Sequence, residues 1–229
     1  MKQHHQLTIA GQSYRLISRD IRRSLNTPAR ASFTVAGKVP ETGMVTYGFG
    51  FSGGAGQIDY RPWFLGYMEK VTLDAQHSTL FCRDLAAALI HDLPLSLRNV
   101  TMVEVLAAIT QQTGLPFMLP DAPYTQHKAA HFCSLGSGLL ALHSMGNVFK
   151  IPQCQWQQLT NGKIYLGAAQ HAPWHNKKVS LPTHLFSQQQ ANQSARIAPM
   201  PAIRPGISIN GKPIQGVILQ EDMIIKWAQ

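Results

Sequence analysis

The chain has 229 residues, of which 45% are hydrophobic and 14% are charged. This length and apolar content support a folded core in one large domain or two small ones, and they exclude a chain that is disordered throughout. Lysine and arginine outnumber aspartate and glutamate by 20 to 11, which gives a formal net charge of +9. A basic surface favours acidic partners such as nucleic acid or another anionic surface.

The cysteines and the amino-terminal residues indicate the cellular compartment in which the protein is made. Cys82, Cys133 and Cys154 are far apart and odd in number, which argues against a disulfide framework and fits a reducing environment. The first residues lack the apolar core of a signal peptide, and no apolar run approaches the roughly 20 residues that span a bilayer. We therefore expect a soluble protein made in the cytoplasm, without membrane insertion.

The first 36 residues carry a strand pattern. "QLTIA" and "SYRLIS" alternate apolar and polar residues on either side of Gly11-Gln12, and "ASFTVAG" is rich in β-branched and aromatic residues. This pattern predicts a hairpin followed by a third strand. The pair His4-His5 comes before it, on a terminus that we expect to be loose.

A fourth strand is predicted over residues 45–51, where aromatic and small residues alternate before the glycine-rich stretch "SGGAGQ". No Gly-Lys-Ser/Thr follows that stretch, so we interpret it as a hairpin connection and not as a nucleotide-binding loop.

Residues 59–71, "DYRPWFLGYMEKV", concentrate aromatic and apolar side chains. A turn at residues 74–77 separates them from a second strand-like run at 78–83, so the two runs predict a long hairpin. Trp63 and Phe64 are adjacent, and adjacent strand residues point to opposite faces. The pattern therefore predicts a strand that is apolar on both faces and covered by a helical layer or a neighbouring subunit, not a single ligand-binding patch.

The middle of the chain has helical patterns. A first helix is predicted to begin at Asp84 and to end before a proline. A second begins with the capping box of Thr101 and Glu104 and ends at Gly114. A third has Ser137 as its N-cap and an apolar stripe; the residues of that stripe are Leu139, Leu142, Met145 and Phe149.

The last third returns to strand patterns. Two runs joined by Asn161-Gly162 predict a hairpin, residues 187–205 are polar and proline-spaced and predict an exposed connector, and residues 207–228 predict a three-stranded meander. Strands, then helices, then strands predict an α+β fold whose terminal strands share one barrel or sheet.

Catalytic and metal-binding patterns are absent from the sequence. His127, His131 and Cys133 are closely spaced, but the His-Glu-x-x-His pattern and a nearby fourth ligand are missing. Ser137 lies between glycines but does not complete the nucleophile motif Gly-x-Ser-x-Gly. We therefore expect no enzyme activity, no metal and no cofactor.

Charged residues offer candidates for a subunit interface. Most of the eleven acidic residues fall at caps, turns or beside prolines, whereas Glu69 lies within a predicted strand beside Lys70. A lone carboxylate on a strand is typical of a cross-strand or subunit salt bridge. Arg22 and Arg23 belong to the densest group of positive charges. These four residues are our candidates for subunit contacts.

The order of several short motifs resembles one known family. The motifs are Phe-x-Gly-Tyr-x-Glu-x-Val at residues 64–71, Cys-Arg-Asp-Leu at 82–85, Thr-Gly-Leu at 113–115, Pro-Gly-x-x-Ile-Asn-Gly at 205–211 and the strand-loop-strand pattern at 19–35. Together they resemble the hub proteins of contractile and long flexible bacteriophage tails, a family that includes late control protein D, the Mu-like baseplate hub and the amino-terminal part of tail-associated proteins.

The resemblance implies a fold of two tube-like β-barrels with a helical insertion. Residues 1–83 would begin the first barrel and residues 196–229 would complete it, while residues 84–195 would form the insertion and a second β-rich region. It also implies a non-enzymatic homotrimer that joins the tail tube or distal tail protein to the spike or fibre proteins. The tape-measure protein and DNA would pass through its lumen, in a virion assembled in the host cytoplasm.

Two departures and two alternatives accompany the resemblance. The chain ends directly after the closing meander, so we expect it to lack the carboxy-terminal extension of some hubs. Some relatives hold an iron–sulfur cluster, but three dispersed cysteines cannot supply the usual four ligands. The alternative functions are a basic nucleic-acid-binding protein, suggested by the charge, and a histidine-dependent metal hydrolase.

Overall fold

The computed structural model describes residues 2–52, 58–190 and 193–227. The chain divides into two compact units, the first formed by Met1–Asp84 with Asn176–Gln229 and the second by Leu85–His175. Most of the predicted glycine-rich hairpin connection lies outside the described residues. Within the described part of the chain, no helix has both the length and the apolar character to cross a membrane.

Seven strands form the first part of the first unit. They are β1 (Gln3–Ile9), β2 (Gln12–Tyr14), β3 (Leu16–Ser24), β4 (Thr27–Ala36), β5 (Met44–Phe51), β6 (Arg61–Leu73) and β7 (His77–Asp84). The predicted hairpins are confirmed. The expectation of a loose terminus at His4-His5 is wrong, because β1 pairs with β5 along its whole length, from Gln3 opposite Phe51 onward.

The second unit holds both α-helices of the described residues. Its elements are a 3₁₀ helix (Leu85–Ile90), β8 (Leu95–Thr101), α1 (Met102–Thr113), β9 (Phe117–Met118), β10 (Lys128–Ser134), α2 (Gly138–Val148), β11 (Cys154–Gln158) and β12 (Ile164–Ala168). Strands β8 and β10 pair, and β9, β11 and β12 form a three-stranded sheet. The buried faces of both helices contribute to one apolar core with these strands.

Two of the three predicted helices are confirmed with their caps. Thr101 and Glu104 form the capping box of α1, Gly114 closes that helix in a left-handed conformation, and Ser137 caps α2. The helix predicted at Asp84 is reduced to the short 3₁₀ helix. Asp84 is instead the last residue of β7, and its carboxylate accepts a hydrogen bond of 2.8 Å from the Ala29 amide.

The chain then returns to the first unit with six more strands. They are β13 (Lys178–Val179), β14 (Ser187–Gln190), β15 (Ser194–Ile197), β16 (Ser208–Ile209), β17 (Lys212–Leu219) and β18 (Met223–Trp227). The closing meander is confirmed. The exposed connector predicted at 187–205 is wrong, because β15 pairs with β18 and turns Ala195 and Ile197 into the core.

One sheet joins both ends of the chain. Its strand order is β14-β15-β18-β17-β3-β4-β7-β6-β5-β1-β2, with β16 beside β17 and β13 beside β16. The contact of β17 with β3 confirms that the terminal strands share a sheet. Among the described strands this path is open, with β14 at one end and β2 at the other.

A β-bulge changes the expected geometry of the aromatic strand β6. Tyr47 pairs with Phe64 and Gly48 pairs with Pro62, so Trp63 is an extra residue on β6. A bulge lets two successive residues depart from strict alternation. Trp63 and Phe64 are both buried, and both reach the aromatic cluster on the inner face of the sheet, through Phe49 and Phe33 respectively. The prediction that Trp63 and Phe64 lie on opposite faces is therefore wrong, since both rings pack in one core. The other face of β6 carries Leu65 and Tyr67, which are partly buried.

Polar side chains connect β1 with β3, which are not neighbours in the strand order. Arg19 Nη1 of β3 lies 3.3 Å from Nε2 and 3.4 Å from Nδ1 of His5 in β1. His5 Nδ1 lies 3.0 Å from the Tyr47 hydroxyl, and the Arg19 guanidinium lies over the Tyr47 ring. The run β3-β4-β7-β6-β5-β1 therefore curls until its two outermost strands meet through side chains.

Trp63→Ala is expected to lower the free energy of unfolding by about 3–5 kcal/mol, because it removes a fully buried ring from the aromatic cluster. Tyr67→Ala, on the half-exposed face of the same strand, is the control and is expected to cost about 1 kcal/mol. Urea unfolding followed by circular dichroism measures both. Equal losses for the two variants would contradict the assignment of Trp63 to the core.

Stability is expected to fall between about pH 6.5 and about pH 4 because of His5. Partial burial of the ring, followed by the positive charges of Arg19 and His4, lowers the pKa of His5 to about 4, whereas the unfolded side chain titrates near 6.5. Between these values the unfolded chain binds a proton that the folded chain does not, so acid favours unfolding.

His5→Gln removes this titration and should flatten that part of the stability curve. Urea midpoints of both proteins at about pH 7 and about pH 5 give the comparison. An identical loss on acidification in both proteins would show that His5 is not responsible.

Candidate interaction surface

Three arginines form a line on the outer face of the sheet. In the strand register, Arg22 of β3 lies opposite Arg30 of β4, and Arg30 lies opposite Arg83 of β7. Residues that pair across strands place their side chains on the same face. The adjacent register positions, occupied by Ile21, Ala31 and Cys82, are buried on the inner face, so the arginines point outward. We call Arg22, Arg30 and Arg83 the arginine row.

Two carboxylates neutralise the ends of the row. The Nε and Nη2 atoms of Arg22 each donate to Asp20 at 2.9 Å, and Gln220 donates to the same carboxylate at 2.8 Å. The hydrogen bonds from Arg22 hold the pKa of Asp20 below its usual range. At the other end, Arg83 Nε donates to Glu69 at 2.8 Å.

Compensation is weaker at the centre of the row, where Arg30 acts on the Asp20 carboxylate through its charge alone, a smaller effect on the pKa of Asp20 than the hydrogen bonds from Arg22. Arg30 is exposed, and among the described residues it has no hydrogen-bonding or ion-pair partner. Neighbouring strands are about 4.8 Å apart, so its charge faces two like charges at short range, an arrangement that destabilises a sheet. The row is therefore under-compensated at its middle position.

Three of the four predicted interface residues lie on this face. Arg22 belongs to the row, Glu69 binds Arg83, and Lys70 lies opposite Phe81 on the next line of outer-face residues. The predicted cross-strand salt bridge of Glu69 is thus present, on a second β-bulge at Glu69 itself. The role of these residues between subunits stays a prediction.

Arg23 lies on the opposite face. Its side chain is buried, its Nη1 donates to the Trp63 carbonyl oxygen at 2.6 Å, and its guanidinium lies over the Trp63 ring. Burial lowers the pKa of Arg23 to about 10, against the opposing effect of Asp84, so it stays protonated at neutral pH. Arg204 donates to the Pro62 carbonyl oxygen. Burial, followed by repulsion from Arg23, lowers the pKa of Arg204 to about 9.

Sequence reasoning did not select Arg30 and Arg83 for this surface. The alternation of polar and apolar residues along β4 and β7 places each of them on the outer face. Only the register between the strands brings them into line with Arg22. That register depends on pairing over long sequence distances, which no local pattern specifies.

Apolar side chains flank the row on both sides. Ile218 of β17 lies opposite Arg22, and Ile224 of β18 lies beyond it. On the other side, Tyr67 of β6 lies opposite Arg83, and Met44 of β5, which is 46% exposed, lies opposite Tyr67. The surface thus has a basic centre and apolar margins.

The histidines and cysteines form no comparable site. Within the described ranges, no group of three or more histidine, cysteine, aspartate or glutamate residues could hold a metal ion. His131 lies in β10 with its Nε2 atom 3.2 Å from the Ser96 hydroxyl. Cys82 is buried in the first unit, and burial raises the pKa of its thiol to about 12, which leaves it protonated and unreactive.

Arg30→Gln is expected to leave the free energy of unfolding unchanged or to raise it by up to about 0.5 kcal/mol at low salt, since it relieves repulsion within the row. The gain should shrink between about 0.02 M and about 0.5 M NaCl because salt screens exposed charges. Arg98→Gln, an exposed strand arginine of the second unit, is the matched control. A loss above about 1 kcal/mol for Arg30→Gln would show that Arg30 supports the fold.

Comparisons with known proteins identify the fold. No known family model matches the chain. The chain is 31% identical over 169 residues to an uncharacterised 58.7 kDa protein of Haemophilus phage HP1, an alignment that covers 73% of this chain and 32% of that protein. The chain therefore spans about a third of the length of this relative.

Three solved structures are similar over almost the whole chain. The tail protein from Neisseria meningitidis has a TM-score of 0.71 at 8% identity and covers 100% of this chain and 97% of its own. The 43 kDa tail protein of prophage MuSo2 from Shewanella oneidensis has a TM-score of 0.69 at 10% identity, with coverage of 98% and 97%. An Escherichia coli component of the type VI secretion system, itself structurally similar to the bacteriophage T4 tail proteins gp27 and gp5, has a TM-score of 0.61 at 11% identity, with coverage of 98% and 77%. The mostly β architecture of this chain is thus the fold of phage and prophage tail proteins.

Proposed function

We propose that this protein is a structural component of a phage or prophage tail, and that it forms the hub of the baseplate or tail tip. In this role it joins the tail tube or distal tail protein to the spike or fibre proteins, and it acts without catalysing a reaction. The observation that carries the proposal is the shared fold over nearly the whole chain with the tail proteins of prophage MuSo2 from Shewanella oneidensis and of Neisseria meningitidis. The phage origin of the sequence relative supports it.

The curl of the sheet supports a tube-like first unit. Six strands run from β3 to β1 and bring Arg19 back to His5. We propose residues 1–84 and 176–229 as the first barrel, in place of the predicted boundaries at 83 and 196, and residues 85–175 as the helical insertion with a second β-rich region.

In the proposed hub, three copies of the chain assemble into a ring. Three copies enclose a lumen that the tape-measure protein and DNA traverse, while edge strands and charged outer faces meet between neighbours. The four charged candidates Arg22, Arg23, Glu69 and Lys70 would contribute to these contacts, the three outer residues directly and Arg23 by fixing β3 from within. The assembled hub would reside in the virion after assembly in the host cytoplasm.

Sedimentation equilibrium of the purified chain at micromolar concentration tests the ring. A trimer is expected at about 76 kDa, three times the 25.3 kDa of one chain, and negative-stain images should show rings. The double variant Glu69→Lys with Lys70→Glu keeps the net charge but exchanges the signs, and is expected to weaken association. A monomer at all concentrations, alone and with the neighbouring tail proteins, would refute the hub proposal.

Nucleic-acid binding is the competing function, and its motivation is the net charge of +9. Titration of the protein with double-stranded DNA at several salt concentrations distinguishes nucleic-acid binding from the hub function. A monomeric protein with a steep linear fall of log K with log salt concentration would support the competing function. A trimer with weak, nearly salt-independent DNA affinity supports the hub.

A further inference from the structure

We propose that the outer surface around the arginine row binds an acidic segment of another protein, with carboxylates spaced to meet the three guanidinium groups. The surface is defined by Arg22, Arg30 and Arg83 together with Lys70 and the two carboxylates of Asp20 and Glu69. Four positive and two negative side chains leave this surface with a net charge of +2. The proposal does not depend on the role in a tail. It replaces the subunit contact proposed above for Arg22, Glu69 and Lys70, because a surface that a neighbouring subunit covers cannot also bind this segment.

The unused hydrogen-bond donors of the arginine row indicate where a ligand carboxylate would bind. Asp20 and Glu69 accept hydrogen bonds from Arg22 and Arg83 at either end of the row, whereas Arg30 has no hydrogen bond or ion pair among the described residues and interacts with Asp20 only through its charge. A planar guanidinium has five N–H donors and matches a carboxylate in a two-point contact. A carboxylate placed over Arg30 would be bordered by free donors of all three arginines.

The spacing of the row suits a helix that crosses the strands. Arg22 and Arg83 are two strand spacings apart, about 9.6 Å. On an α-helix, residues seven apart lie on one face and are separated by about 10.5 Å along the axis. Glutamates at positions i, i+4 and i+7 would therefore face the three arginines in order. Apolar residues at either end of the helix would meet the Ile218 and Tyr67 sides of the row.

The same features disfavour two other occupants. Phosphates of DNA would approach Asp20 and Glu69 as closely as the arginines, and they offer nothing to the apolar margins. A second copy docked face to face would oppose one arginine row to another. A chain with 11 acidic residues and a net charge of +9 also has little acidic surface to present, so a different protein is the better match.

Fluorescence anisotropy with labelled synthetic peptides tests the proposal on the full chain. The probe is a helix-forming peptide with glutamates at i, i+4 and i+7 and leucines at both ends, and its control has glutamines at the three positions. The glutamate peptide is expected to bind about tenfold more tightly than the glutamine peptide, because hydrogen bonds to charged groups are the stronger ones. Arg30→Gln should weaken binding of the glutamate peptide by about tenfold, and Arg98→Gln should not change it.

The outcomes are distinct from those of the hub test, which measures self-association without a peptide. Equal affinity for the two peptides, or an unchanged affinity in Arg30→Gln, overturns the proposal. So does a duplex DNA that displaces the glutamate peptide at physiological salt and loses affinity in Arg30→Gln, because it assigns the row to nucleic acid. Met44→Ser gives an independent check, since loss of an apolar margin should weaken both peptides to the same extent.

Discussion

The pairing of β17 with β3 is the contact on which the rest of the first unit depends. It joins Leu219 to Ile21 and Val217 to Arg23 across almost the whole length of the chain. Because of this pairing, the residues after Asn176 are strands of the same sheet as the amino terminus, and the second unit is an insertion that leaves after Asp84. Such a contact has a large loop-closure cost, so it must be supported by burial on the inner face. Buried Ile21, Val217 and Leu219 provide that support at the inward positions, together with the buried side chain of Arg23.

The two faces of β3 give adjacent arginines opposite functions. Arg23 points inward, where its hydrogen bond to Trp63 and its place over the indole ring compensate for the loss of water. Arg22 points outward, where Asp20 binds it in two-point geometry. A shift of the register by one residue would exchange these environments and bury a carboxylate-bound arginine. The inward interactions of Arg23 thus help to specify the register that lines up the outer residues.

Local sequence patterns predicted most of the elements but not their alignment. The capping box at Thr101 and the turn at Asn161-Gly162 act within a few residues, so their chemistry can be read directly from the sequence. The bulge at Trp63 could not be predicted, because it is defined by what β5 places opposite it. The sequence did not predict strand β15, because polar residues surround its two inward-facing residues, Ala195 and Ile197. Their burial depends on the pairing of β15 with β18. The candidate surface needed the same long-range information, since Arg30 and Arg83 are aligned only by two registers.

The inner and outer charges differ in what they contribute to the folded state. On the inner face, Arg23 donates to the Trp63 carbonyl oxygen and Asp84 accepts from the Ala29 amide, and removing one partner leaves a buried group unsatisfied. On the outer face, the arginine row repels itself across three strands, and its two carboxylates compensate only its ends. Exposed pairs of this kind contribute little to stability. Three aligned like charges with a weakly compensated centre do not stabilise a fold, whereas an interface gains specificity from them, because a partner with opposite charges at the same spacing is favoured over other partners. The physical reason for the row therefore lies in association and not in folding.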